Sequence, residues 1–164
     1  MPFYYAFCNQ KLLKILGSIH RCKKIVVKKV MAEKISLSKR FVRRALQADI
    51  FFTGTNALIS KGQLVNLDMI GNRVSGIAWG PRRGILTIGT NKIVEGLDQA
   101  MARVRQTAAP LNAKRLGAST PCAQTGECID CNSPHRICNV WSITEKSWPA
   151  GRISVVLIKG EYGL

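Results

Sequence analysis

Short apolar runs recur from residue 49 onward, and each is closed by glycine, asparagine or a charged residue. Runs of this length that are rich in β-branched and aromatic side chains are typical of buried strands. Two of them flank Lys61-Gly62, which predicts a hairpin or a tight strand connection. The predicted strands comprise residues 49–53, 57–60, 63–66, 84–89, 138–144 and 152–158.

Apolar residues at spacings of three and four predict helices among these strands. Residues 27–48 carry a rough stripe of this kind, and residues 72–79 predict a short helix capped by Asn72. Residues 91–106 predict a longer helix that is capped by Asn91 and interrupted by Pro110. The alternation of strands and helices predicts an α/β fold with a mostly parallel sheet and flanking helices.

The net charge of +16 is distributed unevenly along the chain. Residues 1–44 hold 12 of the 25 Lys and Arg and one acid, which gives +11, whereas residues 45–164 carry +5. We therefore divide the chain into a basic arm, residues 1–40, helical or partly disordered, and an α/β domain, residues 41–164. Such an arm could neutralise the phosphates of nucleic acid or anionic lipid. We favour a solvated arm, so nucleic acid is not an expected partner.

No run of eighteen apolar residues predicts a membrane span. Residues 1–17 are mildly apolar, but their order is wrong for a signal peptide. We therefore expect a cytoplasmic protein.

Four cysteines fall within seventeen residues, in the predicted Cys-rich loop 121–139. They are spaced C-x5-C-x2-C-x6-C: Cys122, Cys128, Cys131 and Cys138. Two residues between a pair of thiols let both sulfurs turn towards one ion, and four thiolates suit zinc or an iron–sulfur cluster. A redox dithiol at the C-x2-C pair, or four reduced thiols with no such role, would fit the same sequence.

Polar side chains follow three of the predicted strands. In open α/β sheets, ligands bind at the carboxyl ends of the strands. Each asparagine could also hold a sharp turn through its own backbone. Together these residues predict a site for a small hydroxy acid or a phosphorylated ligand, without indicating a particular reaction: Thr55, Asn56, Asn66, Asp68, Asn72, Arg73, Asn91 and Lys92.

Several of these segments resemble the LUD family, the lactate-utilisation domain. The similar segments are ADIFFTGTNA (48–57), GQLVNLD (62–68), GNRV (71–74), NKIV (91–94), APLNAKRL (109–116), PC (121–122) and ICN (137–139), followed by the closing strand near Leu157. The chain looks like the cysteine-bearing branch of that family. The resemblance implies a fold of the ribose-phosphate isomerase and CoA transferase type. It also implies a link to oxidation of lactate to pyruvate, in which related proteins act beside iron–sulfur subunits.

Two segments depart from the family pattern. Residues 1–38 differ from the usual N-terminal region, which supplies further strands and helices and a Gly-Gly-Ser-type loop. Met69-Ile70 stands where the family commonly has a glycine-containing turn. We therefore expect either a domain that is incomplete at its N-terminus and inactive or a chain whose beginning is altered, for example by a frameshift. A missing first part would leave a sheet edge unpaired and a pocket open on one side.

The leading hypothesis is a LUD-type protein of organic-acid metabolism. It would bind a small carboxylate or phosphorylated ligand and carry a cysteine-bound metal or iron–sulfur site. A second hypothesis is a non-catalytic assembly protein whose cysteine loop orders a surface for an iron–sulfur redox partner protein. The third is nucleic-acid binding by the basic arm.

Overall fold

A computed structural model describes residues 25–27, 43 and 45–164 of the chain. Their strands form two four-stranded sheets. Sheet A has the order β1-β2-β5-β8, and all its pairs are parallel. Its strands are β1 (Ile25–Val27), β2 (Ile50–Thr53), β5 (Arg83–Gly89) and β8 (Ile153–Ile158). The expected α/β fold with a mostly parallel sheet is confirmed by this arrangement.

Sheet B has the order β6-β3-β4-β7 and is mixed. Its strands are β3 (Ala57–Ile59), β4 (Leu64–Asp68), β6 (Ile93–Val94) and β7 (Val140–Thr144). The predicted hairpin is β3–β4, closed by a turn in which Gly62 has a φ of 96° that favours glycine. The two closing strands, β7 and β8, belong to different sheets.

The helices begin with α1 (Asn72–Ala78), which follows β4. A 3₁₀ turn (Thr90–Lys92) follows β5. The elements α2 (Leu97–Arg103), a π-helical turn (Val104–Ala108) and α3 (Ala109–Leu116) then run on without a break. The short helix α4 (Pro121–Thr125) opens the cysteine loop.

Three local predictions about helices are wrong. The cap of α1 is Gly71, with a left-handed backbone, and Asn72 is the first helical residue. Asn91 lies in the 3₁₀ turn, because two strand residues intervene before α2 begins after Gly96. Pro110 does not interrupt the helix. The wider π turn just before it accommodates the missing N–H and the bulky ring.

The helical stripe proposed for residues 27–48 is wrong at its start, because Val27 ends β1, which pairs with β2. Arg43 and Ala45 are helical. The remainder of the basic arm, residues 1–24 and 28–40, lies outside the described residues, and so does the phosphate-binding hypothesis that rests on it. Among the residues that are described, no helix is long and apolar enough to span a membrane.

The strands of sheet B bury apolar side chains on both faces. Leu58 and Leu64 pack with Leu86 and Ile88 of sheet A, so one core lies between the two sheets. On the opposite face, side chains of β3 and β4 pack against α2, the π turn and α3: Ala57, Ile59, Val65, Leu67, Ala100, Val104 and Ala109. Because side chains alternate along a strand, Asn66 and Asp68 share the face of Leu64, towards sheet A.

Candidate functional site

The carboxyl ends of β2 and β5 meet at one edge of sheet A, because the two strands are parallel neighbours. The loop after β2 carries Thr55 and Asn56, and the 3₁₀ turn after β5 carries Lys92. Lys92 Nζ donates a hydrogen bond to the carbonyl oxygen of Thr55 at 3.1 Å. The strand ends therefore bring two of the predicted polar groups into contact.

Three cationic side chains converge on Thr55 and Asn56. Besides Lys92, Arg103 donates from Nη1 to the carbonyl oxygen of Asn56 at 2.5 Å. Arg73 donates from Nη2 to Asn56 Oδ1, also at 2.5 Å. We call the set formed by Thr55, Asn56, Asn66, Asp68, Arg73, Lys92 and Arg103 the basic cluster.

Asp68 supplies the carboxylate of the basic cluster and is 8% exposed. Its Oδ1 lies 2.8 Å from Arg73 Nη2, and its Oδ2 accepts the backbone N–H groups of Arg73 and Val74 at 2.8 Å each. The start of α1 is thus anchored to the end of β4. Among the described residues that meet here, three cations face one carboxylate.

Lys92 is only 1% exposed, and its pKa is lowered from 10.5 to about 7. Burial is the main cause, and the positive charges of Arg103 and Arg73 contribute to the same shift. Desolvation disfavours the charged amine, and neighbouring cations add to that penalty. An anion bound beside these groups would act in the opposite direction and raise the pKa of Lys92.

Asn66 is completely buried at the centre of β4. Its Oδ1 lies 3.1 Å from the hydroxyl of Thr55. Its Nδ2 has no hydrogen-bond partner among the described residues, and neither has Oγ of Ser142, which stands opposite it on β7. A buried polar atom without a partner costs about 1–3 kcal/mol, so such atoms usually bind an ordered water, an ion or a ligand.

The structure brings together six of the eight residues predicted to bind a ligand: Thr55, Asn56, Asn66, Asp68, Arg73 and Lys92. Asn91 points elsewhere. Its side chain contacts the C-terminal tail through the carbonyl of Gly163 (3.3 Å) and the N–H of Tyr162 (3.2 Å). Asn72 is half-buried at the first position of α1, outside the described hydrogen bonds of the cluster.

Arg103 belongs to the cluster but was not predicted. In the sequence it stands near the end of a helix, where a basic residue complements the helix dipole. Its place near the helix end is enough to explain a basic residue at this position. Nothing in the neighbouring sequence indicates that the guanidinium of Arg103 reaches Asn56.

The four cysteines of the loop line one small cavity on the other face of sheet B, here called the cysteine cavity. Its volume of about 20 Å³ is room for roughly one small atom or ion. Its walls include Leu67, Arg105, Arg136 and Trp141. No three Cys, His, Asp or Glu side chains of the described residues are arranged to hold a metal ion. The thiols therefore share a cavity without forming a coordination sphere.

The pKa of the Cys138 thiol is raised to about 11, first by burial and then by the negative charge that Cys128 and Cys122 would carry. Without a cation the Cys138 thiol therefore resists ionisation. A metal ion reverses that preference, because it binds thiolates and displaces their protons.

Arg136 holds the cysteine loop through its guanidinium. It donates from Nη1 to the carbonyl of Cys131 at 2.6 Å, from Nε to the carbonyl of Cys138 at 3.0 Å, and from Nη2 to Asp130 at 2.8 Å. Hydrogen bonds from Arg105 and Arg136 lower the pKa of the exposed Asp130 carboxyl. The loop backbone is thus braced by one arginine on the rim of the cavity.

The sequence model of the LUD domain matches residues 12–158. The chain belongs to the LUD domain family. This family is linked in general to lactate utilisation. The match extends into residues 12–40, which the charge distribution assigned to a separate arm, and the boundary at residue 40 stays a prediction.

One structural neighbour of this LUD domain is a crystal structure of a DUF162 family protein from Deinococcus radiodurans. The two share 16% sequence identity, with a TM-score of 0.40, over 73% of this chain. The aligned part spans 58% of the neighbour's length. No curated protein matches the chain.

Proposed function

We propose that this LUD domain binds a small carboxylate or phosphorylated ligand of lactate or organic-acid metabolism at the basic cluster. The observation that supports this proposal is the convergence of three basic side chains, Arg73, Lys92 and Arg103, on Thr55 and Asn56 in a largely buried region. Arg103 and Arg73 disfavour a positive charge on Lys92. An anion bound beside the three side chains would offset this repulsion.

Each group has a role that its chemistry suits. A guanidinium offers paired donors that match carboxylate and phosphate oxygens. Asn66 Nδ2 would donate to a hydroxyl or carbonyl oxygen of the ligand and so gain the partner it lacks. Lys92 would take up a proton as the anion binds, because the added negative charge raises its pKa.

The test is thermal unfolding of the protein with lactate, pyruvate and inorganic phosphate. A ligand at one hundred times its Kd stabilises the folded state by about 2.7 kcal/mol. We expect Asn66→Ala and Lys92→Met to lose this stabilisation.

The matched controls are Asn112→Ala, which removes two exposed hydrogen bonds from the neighbouring Arg115, and Lys61→Met in the exposed hairpin turn. Both should keep the ligand-induced rise in Tm. Equal stabilisation of Asn66→Ala, Lys92→Met and wild type would place the ligand elsewhere and overturn the proposal.

We further propose that the cysteine cavity holds a zinc ion or an iron–sulfur site. The supporting observation is that Cys122, Cys128, Cys131 and Cys138 all line one cavity. Four thiolates are a donor set suited to tetrahedral zinc, or to the irons of a cluster. The loop would have to close by small movements, because the described geometry does not bring three ligands to one point.

Metal analysis and an absorbance spectrum of anaerobically purified protein test this second proposal. Bound iron with visible absorption indicates a cluster, and colourless protein with one equivalent of zinc indicates a single ion. Cys128→Ser should lose the metal, while the double variant Cys8→Ser/Cys22→Ser, outside the loop, should retain it. Wild-type protein without metal after reconstitution would rule out this role.

A further inference from the structure

Three consecutive residues connect the cysteine cavity to the basic cluster. Cys138 lines the cavity, and Val140 begins β7 and pairs with Asp68. Asn139 lies between them. At this point a single residue separates the wall of one candidate site from the strand that supports the other.

Asn139 makes hydrogen bonds to both sides of this connection. Its backbone N–H donates to the carbonyl of Asp68 at 3.0 Å. Its Nδ2 donates to the carbonyl of Met69 at 3.1 Å and to that of Arg136, in the cysteine loop, at 3.2 Å. One side chain therefore joins the loop backbone to the turn that carries Asp68 into α1.

Leu67 provides a second contact between the two sites, through the thickness of β4. Its side chain lines the cysteine cavity. Its backbone N–H donates to Asn56 Oδ1 at 2.9 Å, and its carbonyl accepts Arg73 Nη2 at 3.0 Å. A shift of β4 at this residue would move partners of the basic cluster.

We propose that Asn139 is a positioning residue of the basic cluster. Through Asn139, the conformation of the cysteine loop sets the geometry of the Asp68–Arg73 pair. That geometry in turn sets the affinity of the basic cluster for a small anion. The part that concerns affinity rests on the proposed function. If a metal closes the loop, the carbonyl of Arg136 and with it Asn139 are held in place. If that geometry favours the anion, linkage requires that anion and metal raise each other's affinity by the same factor.

The first test needs neither ligand nor metal. Amide hydrogen exchange follows the N–H groups of Arg73 and Val74, which Asp68 Oδ2 accepts. In Asn139→Ala we expect these amides to exchange about three- to tenfold faster, because the two side-chain hydrogen bonds to Met69 and Arg136 are lost. Asn139→Asp should have the larger effect, because its carboxylate would face two carbonyl oxygens. Asn132→Ala, an exposed position of the same loop, should leave both amides unchanged.

The second test measures the affinity for inorganic phosphate by calorimetry. Asn139→Ala should weaken it about three- to tenfold, and Asn132→Ala should not. In zinc-loaded wild type, phosphate should tighten zinc binding in a chelator competition, and this mutual effect should disappear in Asn139→Ala.

The outcomes separate this proposal from the function on which it rests. Wild-type exchange rates at Arg73 and Val74 in Asn139→Ala would overturn the positioning role. Faster exchange in a protein that binds no phosphate, lactate or pyruvate would support positioning and contradict the proposed function. If wild type and Asn139→Ala bind phosphate equally tightly, the proposed effect on affinity is wrong, whereas the positioning role is not affected.

Discussion

The two faces of β4 carry candidate sites of different construction. The basic cluster is built at strand ends, and its charged groups are fixed by hydrogen bonds to the backbone and to Asn56. The cysteine cavity is built by a loop in which α4 is the regular element, and Cys128, Cys131 and Cys138 are each half-buried. A fixed site loses little conformational entropy when a ligand binds, whereas a loop must be ordered. We therefore expect the basic cluster to be preformed and the cysteine cavity to be completed by its ligand.

The largest effect on the free energy of unfolding is expected when one aspartate from each region is replaced and the two variants are compared. Asp68→Ala removes the buried carboxylate beside Arg73 and leaves three cations without it, so we expect a loss of about 3–5 kcal/mol in the free energy of unfolding. Asp130→Ala removes two ion pairs, with Arg105 and Arg136, whose shared carboxylate is 58% exposed. Exposed pairs contribute about 1 kcal/mol or less each.

Urea unfolding of both variants and wild type measures this difference. It should be made without added anions, because a bound anion would replace part of the charge that Asp68→Ala removes. Equal destabilisation by the two substitutions would contradict the contrast between a buried, preformed site and an open loop.

Much of the basic cluster could be predicted because its cause is local. Short apolar runs mark β2, β4 and β5, and the polar residues that follow such strands gather at one edge of the fold. Sheet B was not predicted, since the pairing of β4 with β7 joins residues more than seventy positions apart and leaves no periodic signal. The roles of Asn91 and Arg103 also depend on distant partners, the C-terminal tail and the loop after β2.

The second prediction concerns the pH dependence that Lys92 gives the basic cluster. Its pKa is about 7 in the folded protein and about 10.5 when unfolded. Between these values the unfolded chain binds more protons than the folded chain, so this group makes stability rise with pH above about 7. Below pH 7 both states are protonated, and the penalty of burying the charge is fully present.

Lys92→Met isolates this contribution, since it removes the titrating amine and keeps a long side chain. From pH 7.5 to 9 the free energy of unfolding of wild type should rise relative to the variant by about 1 kcal/mol per pH unit. Lys61→Met, in the exposed turn, should follow wild type. Parallel curves for wild type and Lys92→Met would show that the amine is not desolvated in solution.

We expect Ser142→Ala to have the smallest effect on the free energy of unfolding. This substitution also tests most directly whether the buried polar atoms bind the ligand. The hydroxyl of Ser142 lacks a partner among the described residues and faces Asn66 across β4 and β7. Removing a buried group that makes no hydrogen bond is close to neutral, so the free energy of unfolding should stay the same or rise by up to about 1 kcal/mol.

If the hydroxyl of Ser142 binds the anion together with Asn66, the phosphate affinity of Ser142→Ala should nevertheless fall about three- to tenfold. Ser147→Ala, at a half-buried position after β7, is the matched control and should leave the affinity unchanged. A clear loss of stability in Ser142→Ala with unchanged affinity would assign this hydroxyl to the fold and restrict the ligand to the side of the cluster formed by Lys92, Arg73 and Arg103.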